Sequence, residues 1–140
     1  MRKKLNLSLY LVTDRTNVAC EEEFLTKIEE SLKGGVTLVQ LREKNISTRE
    51  YIDLAKKVKI ICDKFDVPLL IDDRIDVCLA SECAGVHLGD EDMEIKDARR
   101  ILGDNYIIGA TAKSVERAVQ CEQEGADYLG CLLYTSPSPR

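Results

Sequence analysis

The chain has 140 residues, 44% of them hydrophobic and 32% charged, which is enough for one core and one domain. Its net charge of −5 offers no basic face against a phosphate backbone, which argues against nucleic acid but not against a small phosphorylated ligand held by local cations. Its apolar runs are too short to span a bilayer, and the basic start Met1-Arg-Lys-Lys-Leu-Asn6 lacks the apolar stretch of a signal peptide.

Apolar Leu7 to Thr13 predicts a first strand, ending at Asp14-Arg15. Phe24, Leu25, Ile28 and Leu32 fall at helical spacing, so Glu22 to Lys33 is a helix, stopped by Gly34-Gly35. A second strand runs from Val36 to Arg42. Ser47-Thr-Arg-Glu50 is a capping box that starts a helix to about Lys64, with Leu54, Ala55, Val58 and Ile61 facing inward. Pro68 to Asp72 is a third strand and Arg74 to Glu82 a short helix. Ala84 to Leu88 is a fourth strand, followed by a helix over Ile95 to Leu102 that Gly103 ends. Tyr106 to Thr111 is a fifth strand. Ser114 caps a helix to about Glu124, and Gly125 leads into a sixth strand from Ala126 to Gly130.

Strict alternation of strand and helix implies right-handed βαβ units and a parallel sheet. No strand is followed by Gly-x-Gly-x-x-Gly, and polar residues close nearly every strand. That pattern favours a (β/α)8 TIM barrel, whose site is assembled from many strand ends, over an open doubly wound sheet. A full barrel needs roughly 200 residues or more, so the expectation is an incomplete TIM barrel of about five βα units plus a sixth strand.

The second strand carries the strongest polar signal. Strand side chains alternate, which places Val36, Leu38, Gln40, Arg42 and Lys44 on one face, and Val39 and Leu41 on the other with Thr37 and Glu43. The first face ends in an amide, a guanidinium and an ammonium. These suit an anionic, planar ligand, or else mark a strand running into a solvated loop. After the third strand, Asp72-Asp73 offers either a helix cap or an oxygen ligand for a divalent cation. Asp90, Glu91 and Asp92, after Gly89, carry the same two readings. His87 shares a face with Gly85 and Gly89, as a hydrogen-bonded core residue or a catalyst. Thr111 brings a hydroxyl to the end of the fifth strand. Six cysteines include no Cys-x-x-Cys pair, and one histidine is available to complete a zinc set, so they read as reduced thiols packed as small hydrophobes in a cytoplasmic protein.

Leu9-Tyr-Leu-Val-Thr-Asp14, Gln40-Leu-Arg-Glu-Lys44, Leu69-Leu-Ile-Asp-Asp-Arg74, Gly85-Val-His-Leu-Gly89 with Glu91-Asp92, and Gly125-Ala-Asp-Tyr-Leu-Gly130 together resemble the thiamine phosphate synthase family. The resemblance implies a transferase of thiamine biosynthesis on a (β/α)8 barrel. Such an enzyme couples hydroxymethylpyrimidine diphosphate to a thiazole phosphate and releases diphosphate. It implies that Gln40, Leu41, Arg42, Glu43 and Lys44 bind the pyrimidine diphosphate, that Thr111 contacts the same substrate, and that Asp73 and Asp92 hold Mg2+. The implied reaction is dissociative: diphosphate departs, a pyrimidine methyl cation remains, and the thiazole nitrogen attacks it without a protein nucleophile. At position 72 the family usually has Asn against the pyrimidine. Asp72 keeps an acceptor, loses the amide donor and adds charge.

After Gly130 the family continues into a phosphate-gripping loop ending in Lys. Here Cys131-Leu-Leu-Tyr-Thr-Ser-Pro-Ser-Pro-Arg140 follows, whose prolines suit neither a buried strand nor a normal helix. The expected organisation is a partial barrel over 1–130 with a non-native or disordered tail over 131–140, inactive by itself. Two other readings compete with the synthase: a thiazole tautomerase-like barrel that transfers a proton without a diphosphate-bound metal, and a non-catalytic fragment that binds the pyrimidine diphosphate.

Overall fold

In a computed structural model, residues 4–131 of the chain are described. Among them the alternation foreseen from the sequence holds throughout. The strands are β1 (Tyr10–Val12), β2 (Leu38–Leu41), β3 (Leu69–Asp72), β4 (Gly85–Leu88), β5 (Ile107–Ala112) and β6 (Tyr128–Cys131). Between them lie helices α1 (Glu21–Lys33), α2 (Thr48–Lys64), α3 (Ile75–Ser81), α4 (Ile95–Leu102) and α5 (Val115–Glu124). The six strands form one parallel sheet in sequence order. The sheet curls, so that the Tyr10 hydroxyl on β1 meets the Tyr128 hydroxyl on β6. Among the described residues this is a half-closed barrel with β1 and β6 as its edges, and Leu7, Leu9 and Val12 lie exposed along the first edge.

The two faces of the curl do different work. Val39, Leu41, Ile71, Val86, Leu88, Ile108 and Ala110 point outward and pack with Phe24, Ile28, Leu54, Val58, Ile95 and Ala98 of the helices. Leu38, Leu70 and Ile107 point inward and fill the floor of the lumen with Tyr128, flanked by Leu5, Tyr10 and Ala84. Above that floor, toward the strand C-termini, the inward positions become polar: Gln40, Asp72, His87 and Thr111. Two glycines make the curl possible. A Cβ on Gly85 would lie 1.9 Å from the Ile107 backbone oxygen, and one on Gly109 would lie 1.9 Å from the Tyr128 ring. Large side chains at either place would force β4 from β5 or drive the tyrosine out of the lumen.

Local signals were accurate at the helix starts. Ser47 Oγ accepts from Glu50 N at 3.1 Å while Glu50 Oε1 accepts from Ser47 N at 3.4 Å, a complete capping box. Ser114 Oγ accepts from Arg117 N at 3.1 Å. Strand starts were less so. The second strand begins at Leu38, not Val36, and Val36 joins the outer cluster instead of sharing the inner face with Leu38. Thr37 explains the difference: its Oγ1 donates to Asn6 O and accepts from Leu9 N, diverting the backbone before the ladder starts. The first strand is likewise shorter than Leu7 to Thr13. The sixth strand extends through the backbone of Cys131, one residue into the segment expected to be tail; residues 132–140 lie outside the described part. Among the described cysteines, Cys62, Cys78, Cys83 and Cys121 are buried and Cys20 is exposed. No helix among the described residues is long and apolar enough to cross a membrane.

Candidate functional site

The inward polar residues sit at the C-terminal ends of β2 to β5, where barrel sites are built. β2 contributes the largest share. Gln40 is buried in the lumen and donates from Nε2 to the Tyr10 hydroxyl oxygen at 2.8 Å. The ladder ends at Leu41, and the next three residues splay at the mouth. Arg42 is exposed beside Asp14, Arg15 and Lys44, around a cleft of about 440 Å³. Glu43 turns sideways and takes a bidentate pair of bonds from Arg15, at 2.8 and 2.9 Å. Lys44 reaches across to β3, its Nζ 2.7 Å from Asp72 Oδ2. Leu41 faces the helical layer, and its carbonyl is already occupied by the Tyr51 hydroxyl at 2.8 Å. Five consecutive residues of the sequence motif therefore do not converge on one place.

Asp73 follows β3 in a left-handed backbone conformation, with φ of +68°. That conformation is uncommon outside glycine and is best tolerated by Asn and Asp. Asp73 N donates to His87 O at 2.8 Å, and the turn carries the side chain to Asp92. The two carboxyls line one cleft, close enough to act on each other. Burial, and then Asp92 beside it, hold the Asp73 carboxyl above the usual carboxylate range. Neither residue caps a helix: the N-cap positions are Arg74 for α3 and Glu94 for α4, neither with a side-chain cap bond. Asp92 Oδ2 instead accepts from Gly89 N at 2.7 Å, which ties down the loop after β4. Asp90 faces Arg117 at 3.7 Å.

Two carboxyls pressed together at a mouth edge are electrostatically costly unless a proton or a cation lies between them. Hard oxygen donors in that number fit Mg2+, which takes one or two carboxylates and completes its shell with water and phosphate oxygens. Among the described residues no group of three or more His, Cys, Asp or Glu side chains is arranged to hold an ion, so an all-protein cage is not offered.

Inside the lumen, His87 is bonded at both ring nitrogens, Nδ1 to the Tyr128 hydroxyl at 2.7 Å and Nε2 to Thr111 Oγ1 at 2.8 Å. Burial pushes its pKa below the ordinary imidazole value, so the ring is neutral at physiological pH. Gln40, Asp72, Lys44, His87 and Thr111 share the mouth and upper lumen, with Asp73 and Asp92 on its rim. Tyr10 and Tyr128 were not singled out as site residues from the sequence. The available signal was a tyrosine on the inward register of a strand, since a buried phenol needs a polar partner. Arg15 was missed because its partner, Glu43, lies 28 positions away.

A curled parallel βα sheet with its polar side chains gathered at the strand C-termini defines the first part of a (β/α)8 barrel with a site at its mouth. The thiamine monophosphate synthase family matches residues 9–133, and the chain belongs to that family. It is 54% identical over 124 residues to thiamine-phosphate synthase 2 of Streptococcus pneumoniae serotype 4, covering 89% of this chain and 59% of that protein. It is 50% identical over 130 residues to thiamine-phosphate synthase of Enterococcus faecalis, covering 93% and 60%. Among solved structures, thiamine phosphate pyrophosphorylase from Pyrococcus furiosus superposes with a TM-score of 0.82 at 42% identity, covering 89% of this chain and 59% of that one. The chain thus spans about three-fifths of the length of the relatives it matches.

Proposed function

We propose that this chain carries the pyrimidine-diphosphate half of a thiamine-phosphate synthase site, in a cytoplasmic enzyme that joins hydroxymethylpyrimidine diphosphate to thiazole phosphate. The observation that supports it is the placing of Asp73 and Asp92 in one cleft at the mouth edge, with Lys44, paired to Asp72, near enough to act on Asp73. A site for one phosphate could rely on cations alone. A carboxylate pair facing an ammonium is suited to a diphosphate that arrives with its own divalent ion.

In this reading Asp73 and Asp92 hold Mg2+, which supplies charge neutralisation for the departing diphosphate. Arg42 and Lys44 face the diphosphate oxygens, and Lys44 exchanges its bond to Asp72 for one to the ligand. Gln40 and Asp72 orient the pyrimidine end, with Asp72 accepting from an amino group, and Thr111 contacts the same ligand. Leu41 and Glu43 contribute by fixing the backbone that aims their neighbours, Leu41 by packing and Glu43 through Arg15. Coupling to the second substrate is assigned to the full-length barrel of the family.

Calorimetry of the 140-residue chain with hydroxymethylpyrimidine diphosphate, with and without Mg2+, tests the proposal. Binding that strengthens with Mg2+ and drops at least about tenfold in Asp73→Ala and Asp92→Ala supports it. Binding indifferent to Mg2+ and to both substitutions would favour the tautomerase-like alternative.

A further inference from the structure

Three side chains join Gln40 to Thr111 across the lumen: Tyr10, Tyr128 and His87. Gln40 Nε2 donates to the Tyr10 oxygen at 2.8 Å, and the Tyr10 hydroxyl meets that of Tyr128. Tyr128 in turn lies 2.7 Å from His87 Nδ1, and His87 Nε2 lies 2.8 Å from Thr111 Oγ1. Every link is a single hydrogen bond, so every link has a direction.

The direction follows from the end. An amide nitrogen can only donate. The Tyr10 oxygen therefore accepts from Gln40, and its one hydrogen goes to Tyr128. The Tyr128 hydrogen then goes to His87 Nδ1. Nδ1, which accepts, carries no hydrogen, so the ring N–H sits on Nε2 and donates to Thr111 Oγ1. The hydrogen of Thr111 remains unused by the chain, as does Oε1 of Gln40 at the other end. In the reverse order the Tyr10 oxygen would receive from both Gln40 and Tyr128, and its own hydrogen would have no acceptor among them.

The arrangement is built into the backbone. The Tyr128 ring lies across the lumen only because position 109 is glycine, and it packs edge-on to Tyr10 with ring centres 5.6 Å apart. It also stacks on His87, again at 5.6 Å.

We propose that Tyr10 and Tyr128 are positioning residues that make Gln40, His87 and Thr111 one directional hydrogen-bond chain. At its two ends that chain leaves Gln40 Oε1 as an acceptor for an amino group and the Thr111 hydroxyl hydrogen for an oxyanion, neither of them used within it. The assignment of those two ligand groups to an aminopyrimidine diphosphate rests on the function proposed above; the direction of the chain does not.

His87 is the one histidine of the sequence, so the imidazole ¹⁵N spectrum of the labelled 140-residue chain reports this ring alone. The Nε2–H tautomer is expected. Gln40→Glu places an acceptor at the end and reverses every link, so the Nδ1–H tautomer is expected there. Tyr10→Phe removes one oxygen and cuts the chain, so in that background Gln40→Glu no longer changes the tautomer. An Nδ1–H ring in the unaltered chain, or the same tautomer with and without Gln40→Glu, would overturn the proposal. Should Gln40→Glu not fold, Tyr10→Phe alone decides: a mixture of tautomers supports the chain, and an unchanged pure Nε2–H ring refutes it. Calorimetry with hydroxymethylpyrimidine diphosphate and Mg2+ supplies the second readout. A loss of about tenfold in Tyr10→Phe is expected, and unchanged affinity would refute the positioning role. No binding by the unaltered chain would overturn the functional reading instead, leaving the tautomer to judge the chain.

Discussion

Asp72→Asn isolates the electrostatics of the mouth with almost no change of volume. Asp72 Oδ2 and Lys44 Nζ are 2.7 Å apart, with side-chain exposures of 8% and 49%. Two unit charges at that separation attract by about 1.5 kcal/mol in a water-like medium and by about 6 kcal/mol at an effective dielectric of 20. Half of the lysine side chain is in solvent, so the water-like end applies, and the entropy of holding a long side chain lowers it to about 1 kcal/mol. The backbone at position 72 is held independently, because the Tyr51 hydroxyl bonds its carbonyl at 3.3 Å. The substitution should therefore lower stability by about 1 kcal/mol in urea unfolding while leaving the strand end in place. It also removes a negative charge that competes with an anionic ligand for Lys44. Affinity for inorganic diphosphate with Mg2+, measured by calorimetry, should rise about fivefold, the equivalent of 1 kcal/mol. A folded Asp72→Asn chain that binds diphosphate no better, or less well, would refute the argument that Asp72 restrains Lys44.

Gly109→Ala pushes a methyl group to 1.9 Å from the Tyr128 ring, and should cost about 1–3 kcal/mol or more by overpacking, visible as a lowered urea midpoint; an unchanged midpoint would contradict the close approach. Glu82 ends α3 in the left-handed region with φ of +58° and its side chain exposed, so Glu82→Gly should relieve strain and raise stability by about 0.5–1 kcal/mol in the same assay. Burial lowers the His87 pKa from 6.5, so on acidification the unfolded chain takes up the proton first. The stability linked to this group is whole above pH 6.5 and is lost as pH falls below it, by at most about 1.4 kcal/mol per unit. Urea midpoints between pH 7.5 and about 5.5 should show this slope, and His87→Gln should flatten it.

The alternation of strands and helices was legible because it is written in local periods. Phe24, Ile28 and Leu32 mark α1 by spacing alone, and Ser47 with Glu50 marks the start of α2. Curling was legible less directly, through polar residues at successive strand ends. What the motif Gln40 to Lys44 does with its five side chains was not. Alternation places Arg42 and Lys44 together only while the strand lasts, and the ladder ends at Leu41. Beyond it, Lys44 is placed by Asp72 and Glu43 by Arg15, partners 28 residues distant in each case. Asp73 and Asp92 could be read equally as caps or ligands from the sequence. Their contact depends on the left-handed turn at Asp73, which no neighbouring residue announces.

The lumen shows why such long-range placement matters to function. Gln40 and Thr111 belong to strands separated by β3 and β4, so no direct ladder bond relates their side chains. They are related instead by two tyrosines and a histidine, one of which fits only because Gly109 is bare. A glycine on β5 thus bears on the orientation of an amide on β2, through the ring of a residue on β6. The same dependence joins the rim to the lumen: Asp73 N is held by the carbonyl of His87, whose ring belongs to the hydrogen-bond chain. A change that moves β4 would disturb the carboxylate pair and the lumen chain together. Substitutions at Gly85, which lets β4 lie against β5, should therefore impair cation binding and the His87 tautomer in step rather than separately.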